Sequence, residues 1–393
     1  MNHFKLRVED LDKKYLDILI SKHTKIYNKD DYFNLNEIKN KIDSREWDKN
    51  KKFSNNYELI HIPNKRKIYD GIALHEPLSR SYFKMVEMIH DFNLLENSST
   101  NFRSAHMAEG PGGFMEATYK ISHNCKKFNN FKHYGITLYS DNKDVPGWSK
   151  AINFIQSDKD IIIDYGIDGS GNIYNPDNII HFSETCGYNS CDLVTADGGF
   201  DYSLDFNKQE ELSYKLIYCE IVTCMFIQKK GGSFICKIFD TFRDSTLKLL
   251  FFLCCFYEEV YLNKPLTSRP ANSEKYIIAK KFRGIDINYL SNLLNIIRYW
   301  NVIEKNMNIS DIFGGILPEY FVNSMMKYNK INSKHQISII NNTIEIIKNK
   351  KKLSFLNKII DNQIKQAKEW CKKYEEDINL KSSFIQEYKK NKF

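Results

Sequence analysis

Four charged residues fall where a side chain could take part in acid–base chemistry. Lys237 ends Gly231-Gly232-Ser233-Phe234-Ile235-Cys236-Lys237, a run otherwise suited to full burial, and a lysine is rarely buried unless it is paired or functional. Asp197 sits in Ala196-Asp197-Gly198-Gly199-Phe200, which reads either as a tight turn with a satisfied aspartate or as an acid presented at a strand end. Glu274 closes Ser268-Arg269-Pro270-Ala271-Asn272-Ser273-Glu274, just ahead of a predicted strand from Lys275. Lys84 lies on a predicted helix, Ser79–Ile89, whose apolar residues recur at helical spacing and whose start Ser79 can cap. Alone, it is an ordinary solvated lysine. Together, two amines and two carboxylates could draw a proton from a poor nucleophile such as a hydroxyl. An amine with an ordinary pKa of ~10.4 becomes a usable base when burial and a neighbouring cation lower it. Lys84, with a cationic sulfonium co-substrate, would supply that cation, so Lys237 is expected to titrate below its usual range, with Asp197 and Glu274 holding both amines in place.

A second stretch could hold the other reactant. Ala108-Glu109-Gly110-Pro111-Gly112-Gly113-Phe114 is a glycine-rich turn between an apolar run and a helical one. Glycine lets the main chain bend sharply and approach a ligand without a Cβ in the way. The stretch has neither the Gly-Lys-Ser/Thr ending of a phosphate loop nor the Gly-x-Gly-x-x-Gly spacing of a dinucleotide site, and Glu109 argues against a phosphate. A carboxylate there suits a ligand with a cationic amine and an amino-acid tail, as S-adenosylmethionine (SAM) has; an ordinary strand-to-helix turn is the alternative. With SAM as donor, in-line attack by a ribose hydroxyl would need the base and the alignment that two lysines and two acids can supply.

These residues need a frame that brings them together. Short apolar runs at Arg103–Ala108, His133–Leu138, Asp160–Asp164, Asp192–Asp197, Ser233–Phe239, Val260–Asn263 and Lys275–Ala279 predict strands, alternating with helices over Gly113–Ser122, Asn207–Lys230 and Asp244–Phe256. The alternation predicts an α/β fold with a parallel sheet and helices on both faces. Ligands of such sheets bind at the carboxyl ends of the strands, where Gly110, Asp197 and Lys237 fall. Residues 1–75 are polar and charge-dense, with helix-like pieces at Asp10–Ser21 and Asn36–Lys49, and read as an N-terminal extension. Its basic clusters, Lys49 with Lys51 and Lys52, and Lys65-Arg66-Lys67, are either solvated surface or a phosphate-contacting rim. Residues 285–393 read as docked helices, with the basic run Lys348–Lys352 as an exposed helix face.

With 42% hydrophobic residues among 393, the chain can bury a large core and is not globally disordered. Lys and Arg number 57 against 49 acids, a net charge of +8 that permits a nucleic-acid partner without requiring one. Nine cysteines with no Cys-x-x-Cys and no Cys/His cluster at zinc spacing read as reduced, mostly buried thiols. No metal is expected. Met1–Lys5 begins no apolar signal region and no run reaches transmembrane length, so neither secretion nor a membrane partner is expected.

The order Lys84, Ala108–Phe114, Ala196–Phe200, Gly232–Asp240 and Lys264–Tyr276 resembles the FtsJ-like 2′-O-ribose methyltransferases with their Lys-Asp-Lys-Glu tetrad. It is most similar to the cap-1 mRNA methyltransferases, sharing Asp197-Gly198-Gly199-Phe200, Phe234-Ile235-Cys236-Lys237 and Thr267-Ser268-Arg269-Pro270-Ala271-Asn272-Ser273-Glu274. The resemblance implies a Rossmann-like SAM-dependent methyltransferase domain over 76–284 with a mostly parallel, seven-stranded sheet. It implies a catalytic tetrad of Lys84, Asp197, Lys237 and Glu274, with Lys237 as proton acceptor. It places SAM on residues 108–114 and on Asp197, assisted by Ser79 where the family usually has Asn. Asn172 and Ile173 would meet the adenine; the family often has Asp at the first of these, and an amide can serve the same edge. Asn207 and Asn272 would contact RNA, and Arg269 a phosphate. The implied activity is cap-0 to cap-1 methylation of capped RNA, with other capping enzymes as partners. The compartment would be the nucleus or, for a viral member, host cytoplasm or virion. The residues that would hold the cap are not legible, although Asn56-Tyr57-Glu58-Leu59-Ile60 resembles the family's corresponding stretch. The competing readings are the same chemistry on internal ribosomal or transfer RNA riboses, and an inactive RNA-binding subunit.

Overall fold

A strand buried on both faces needs a helical layer on each side, and Cys191–Ala196 is buried at every position. The computed structural model describes residues 3–9, 16–42, 44–62, 69–96, 98–142, 145–200, 205–303, 309–349 and 353–390. The elements run β1 (His3–Leu6), β2 (Ile18–Ser21), α1 (Lys29–Asn40), α2 (Ser44–Asn50), α3 (Ser81–Asp91), β3 (Asn101–Met107), α4 (Gly113–Asn124), β4 (Asn130–Ile136), α5 (Ile152–Gln156), β5 (Ile161–Asp164), α6 (Pro176–Cys186), β6 (Cys191–Ala196), α7 (Gln209–Leu212), α8 (Tyr214–Ile227), β7 (Gln228–Ile238), α9 (Asp244–Phe256), β8 (Tyr257–Asn263), β9 (Lys275–Phe282), α10 (Ile287–Ile303), β10 (Asp311–Phe313), α11 (Glu319–Asn349), α12 (Leu353–Lys373) and α13 (Ser383–Lys390).

The main sheet has the order β1-β8-β9-β7-β6-β3-β4-β5. From β5 to β7 its strands are parallel, and β9 enters antiparallel between β7 and β8. The chain winds from β3 outward through β4 and β5, then returns to β6 on the other side of β3. A crevice therefore opens beyond the carboxyl ends of β3 and β6. On one face α8 is buried at every residue, with the sheet on one side and α6 and α10 on the other. That is why its sequence is apolar all round instead of striped. On the opposite face α3 packs on α4, and α12 covers α3 through Trp370, whose ring lies 5.4 Å from that of Phe83. The Trp370 indole N–H donates to the Glu87 carboxylate over 3.1 Å.

All seven expected strands are present, and an eighth, β1, adds an antiparallel edge to β8. Four residues carry too little alternation to announce a strand. Ile18–Ser21, inside a piece read as helix-like, is also a strand, made so by pairing with Asp311–Phe313; residues 10–15 of that piece lie outside the described residues. Asn36–Lys49 spans the end of α1 and most of α2 and is no single helix. The helix expected over Asn207–Lys230 is broken. Asp205 caps a 3-10 turn at Phe206–Lys208, α7 and α8 follow, and the chain is already strand at Gln228, whose side chain donates to the Cys191 carbonyl at 2.8 Å. Tertiary pairing overrides the helix preference of Gln and Lys there. Lys65-Arg66-Lys67 and the end of the basic run near 350 lie outside the described residues. Among those described, no helix is long and apolar enough to cross a membrane.

Trp370→Ala should lower stability by about 3 kcal/mol or more, since it opens a cavity against Phe83 and removes a donor from Glu87. Denaturant unfolding measures it; a loss under about 1 kcal/mol would contradict the packing of α12 on α3.

Candidate active site

Strand register builds the site floor. Ala196 pairs with Cys236 between β6 and β7, so Asp197 and Lys237 emerge side by side, and Lys237 pairs with Tyr276 between β7 and β9. Glu274 lies two residues before Tyr276, and Lys84 reaches in from α3. Lys237 Nζ is 3.3 Å from Asp197 Oδ1 and donates to the Asp197 carbonyl at 2.7 Å. Lys84 Nζ donates to Glu274 Oε1 at 2.7 Å. The Tyr276 hydroxyl joins the pairs, donating to Asp197 Oδ1 at 2.9 Å and accepting from Lys84 at 3.3 Å. Sequence reasoning missed Tyr276. Its one signal was its place at the start of the strand that Glu274 precedes.

Burial lowers the pKa of Lys237, but Asp197 and Glu274 outweigh it and hold the amine above its ordinary range. Without the sulfonium, the expected lowering is not seen: the carboxylates outweigh burial. Burial would raise Glu274, yet Lys84, Lys237 and Lys264 pull it well below the usual carboxylate range. Lys264 is brought down to about 7, first by burial and then by Lys275 and Lys84 against the pull of Glu274. Beneath the floor Glu220, fully buried, is raised to about 8 by burial. A Cβ on Gly198 would stand 2.2 Å from its Oε1, which explains one glycine of the Asp197-Gly198-Gly199 turn.

The glycine turn follows β3, with Ala108 and Gly112 at positive φ of 51° and 102°. A Cβ at Gly110 would lie 2.3 Å from the Pro146 carbonyl, and one at Gly113 would lie 2.3 Å from the hydroxyls of Ser79 and Ser81. The main chain is thus pressed between two walls. Glu109 is buried, and both its oxygens are taken: Met115 N–H donates to Oε1 at 2.7 Å, and Thr195 Oγ1 donates to Oε2 at 2.9 Å. It caps α4 from inside, which overturns the expectation that its carboxylate meets a ligand amine.

A cleft of about 1120 Å³ opens over this floor. Ser79, Ala108, Gly110, Pro111, Asn172, Ile173, Asp197, Lys237, Arg269, Asn272 and Glu274 line it, whereas Lys84, Glu109, Gly112, Gly113, Phe114 and Asn207 are set back. Asn207, expected to meet RNA, donates to the Asn40 side chain at 2.7 Å. Arg269 is held by a two-point pair to Glu58, at 3.2 and 2.8 Å, and Glu58 also faces Arg80 at 3.5 Å. The outer wall comes from residues not anticipated, Lys39 and Trp47 of the N-terminal segment and Gln336 of α11, together with Lys51, one of the basic residues read as either solvated surface or a phosphate-contacting rim. Among the described residues no group of His, Cys, Asp or Glu could hold a metal ion.

The lining fits SAM. Leu138 follows β4, and the loop after β5, tied to it by the Tyr139 N–H to the Ser170 carbonyl at 2.7 Å, brings Asn172 and Ile173 alongside; the side-chain-poor turn at Ala108 and Gly110 follows β3, Asp197 follows β6, and Lys237 stands near the end of β7. A ligand with an aromatic base at one end and a cationic centre at the other meets an apolar slot and then a carboxylate.

Glu109→Ala should cost about 1–3 kcal/mol by stranding buried donors, read from the denaturation midpoint. A carboxylate free to serve a ligand would leave stability unchanged.

Residues 77–282, more than half of the chain, match the FtsJ-like methyltransferase family. The cap-specific mRNA (nucleoside-2′-O-)-methyltransferase 1A of Caenorhabditis briggsae is 30% identical over 304 residues, covering 72% of this chain and 33% of that protein. Cap-specific mRNA (nucleoside-2′-O-)-methyltransferase 1 is 32% identical over 265 residues in Xenopus laevis (61% of this chain, 29% of that protein) and 37% over 191 residues in Homo sapiens (46% and 22%). The chain spans a third or less of the length of these curated relatives. It belongs to the FtsJ-like methyltransferases, whose methyl donor is SAM.

Proposed function

We propose that the chain methylates the ribose 2′-oxygen of the first transcribed nucleotide of capped RNA. The observation that carries this reading is the floor of the cleft, where two lysine–carboxylate pairs are joined by one tyrosine hydroxyl. The curated relatives named above are cap-specific 2′-O-methyltransferases, which supports the choice of substrate.

Ala108, Gly110, Asn172 and Ile173 would hold SAM, with Asp197 at its reactive end. Bound there, SAM supplies a methyl carbon on a cationic sulfur, open to in-line displacement by an oxygen. Lys237 takes the proton that the 2′-hydroxyl gives up. Asp197 orients Lys237 through both its carboxylate and its carbonyl. Glu274 fixes Lys84, and Lys84 places a second positive charge near the alkoxide as it develops. Tyr276 keeps the two pairs in one geometry. Because its carboxylate neighbours raise Lys237, the amine is mostly protonated at neutral pH. The free-base fraction, and with it the rate, should climb about tenfold per pH unit until Lys237 titrates.

Label transfer from SAM to a capped and an uncapped RNA oligomer, with mass-spectrometric mapping of the product, tests the reading. Methylation of the first ribose of the capped RNA is expected, with a loss of about 10²–10⁴ in kcat and of the alkaline rise in Lys237→Met. Equal methylation of both oligomers would replace the cap by an internal target. No transfer to either would leave an inactive RNA-binding subunit.

A further inference from the structure

Lys264 follows β8 and is half-buried beside the loop that carries Glu274. An ammonium has three N–H donors and no acceptor, and all three are spent within one short stretch. Nζ donates to the Asn272 carbonyl at 2.8 Å, to the Glu274 carbonyl at 2.6 Å, and to the Asn272 side-chain oxygen. The side-chain oxygen of Asn272 faces Lys264 Nζ, so its NH₂ end faces away. Asn272 is exposed and lines the cleft, and among the described residues no acceptor meets its Nδ2. An untethered asparagine can offer a ligand either its oxygen or its NH₂. This one offers only donors.

We propose that Lys264 is a positioning residue for RNA: by holding the oxygen of Asn272 it presents that side chain's NH₂ to the cleft as a fixed donor to a phosphate or ribose oxygen. The proposal rests on RNA being the substrate. Phosphate and sugar oxygens are acceptors and make up most of what a protein meets on a nucleic-acid backbone, so a locked donor gains affinity that a freely flipping amide would lose in half of its orientations. The same ammonium grips the Glu274 carbonyl, which joins the strand-holding contact to the reacting floor.

A double-mutant cycle tests this on the full chain. Lys264→Met and Asn272→Ala should each raise the KM for capped RNA about tenfold, the size of one charge-assisted or well-aligned hydrogen bond. Combined, they should be no more than about twofold worse than the poorer single variant, because both remove one contact. Asn272→Asp keeps the bond to Lys264 but swaps the donor for an acceptor, and should weaken RNA binding more than Asn272→Ala does. The SAM dissociation constant, by titration calorimetry, should stay within about twofold in every variant. Multiplying losses, an unchanged KM in Lys264→Met, or Asn272→Asp binding as well as wild type would each overturn the proposal. Fluorescence anisotropy with a short RNA oligomer runs the same cycle without turnover. RNA bound but not methylated would thus count against the proposed activity alone. If Lys264→Met fails to fold, Lys264→Arg, which keeps the charge but cannot direct three donors from one atom, takes its place with the same expected sign.

Discussion

Two ammonium groups can share a half-buried floor only because two carboxylates stand between them. Lys84 and Glu274 form one pair, Lys237 and Asp197 the other, and Tyr276 spans them. The carboxylates hold Lys237 protonated, and the lysines hold Glu274 ionised. Each charge is tolerable because of the others, and removing one would strand a buried partner at a cost of about 3–5 kcal/mol. Such an arrangement adds little to stability over apolar packing. What it provides is an amine held in one geometry at the floor of the cleft, with a countercharge in contact.

The rest of the molecule holds that floor still. Glu87, one turn along α3 from Lys84, accepts the N–H groups of Leu266 and Thr267 and the hydroxyl of Thr267, and so pins the loop ahead of Glu274. Ser268 donates to Glu274 itself at 2.8 Å. Segments outside residues 77–282 close the other side. Lys39 of α1 pairs with Asp240 at 2.7 Å, and Gln336 of α11 donates to the Ala271 carbonyl at 3.0 Å. Glu58 binds Arg269 and faces Arg80, so the charge on the rim is also set from outside the family-matched stretch.

The sheet was legible because its strands alternate with helices of clear period, and Asp244–Phe256 falls on α9 residue for residue. Asp197 and Lys237 were legible at their strand ends, where a buried charge is seldom unpaired, whereas Lys84 alone read as an ordinary solvated lysine, and the resemblance joined it and Glu274 to them. Three things were not legible. β1 and β2 are too short to show a period and exist only through partners more than 250 residues away. Glu109 looked like a ligand group because it stands in the glycine turn, yet helix capping and Thr195 claim both its oxygens, and a linear sequence does not reveal which way a side chain faces. The sign of the Lys237 shift was also misjudged. The carboxylates were expected to hold the amine, but the neighbouring cation was weighted above them; Asp197 stands 3.3 Å from Lys237, and contact distance decides which charge dominates.

The claim on which everything else depends is that the two lysine–carboxylate pairs act as one unit. Single-turnover methyl transfer by Lys84→Met, Lys237→Met and the double variant measures this directly. A unit predicts that the double variant is about as slow as the slower single one, since either change disables the same arrangement. Rate losses that multiply would mean two independent contributions and would contradict the account.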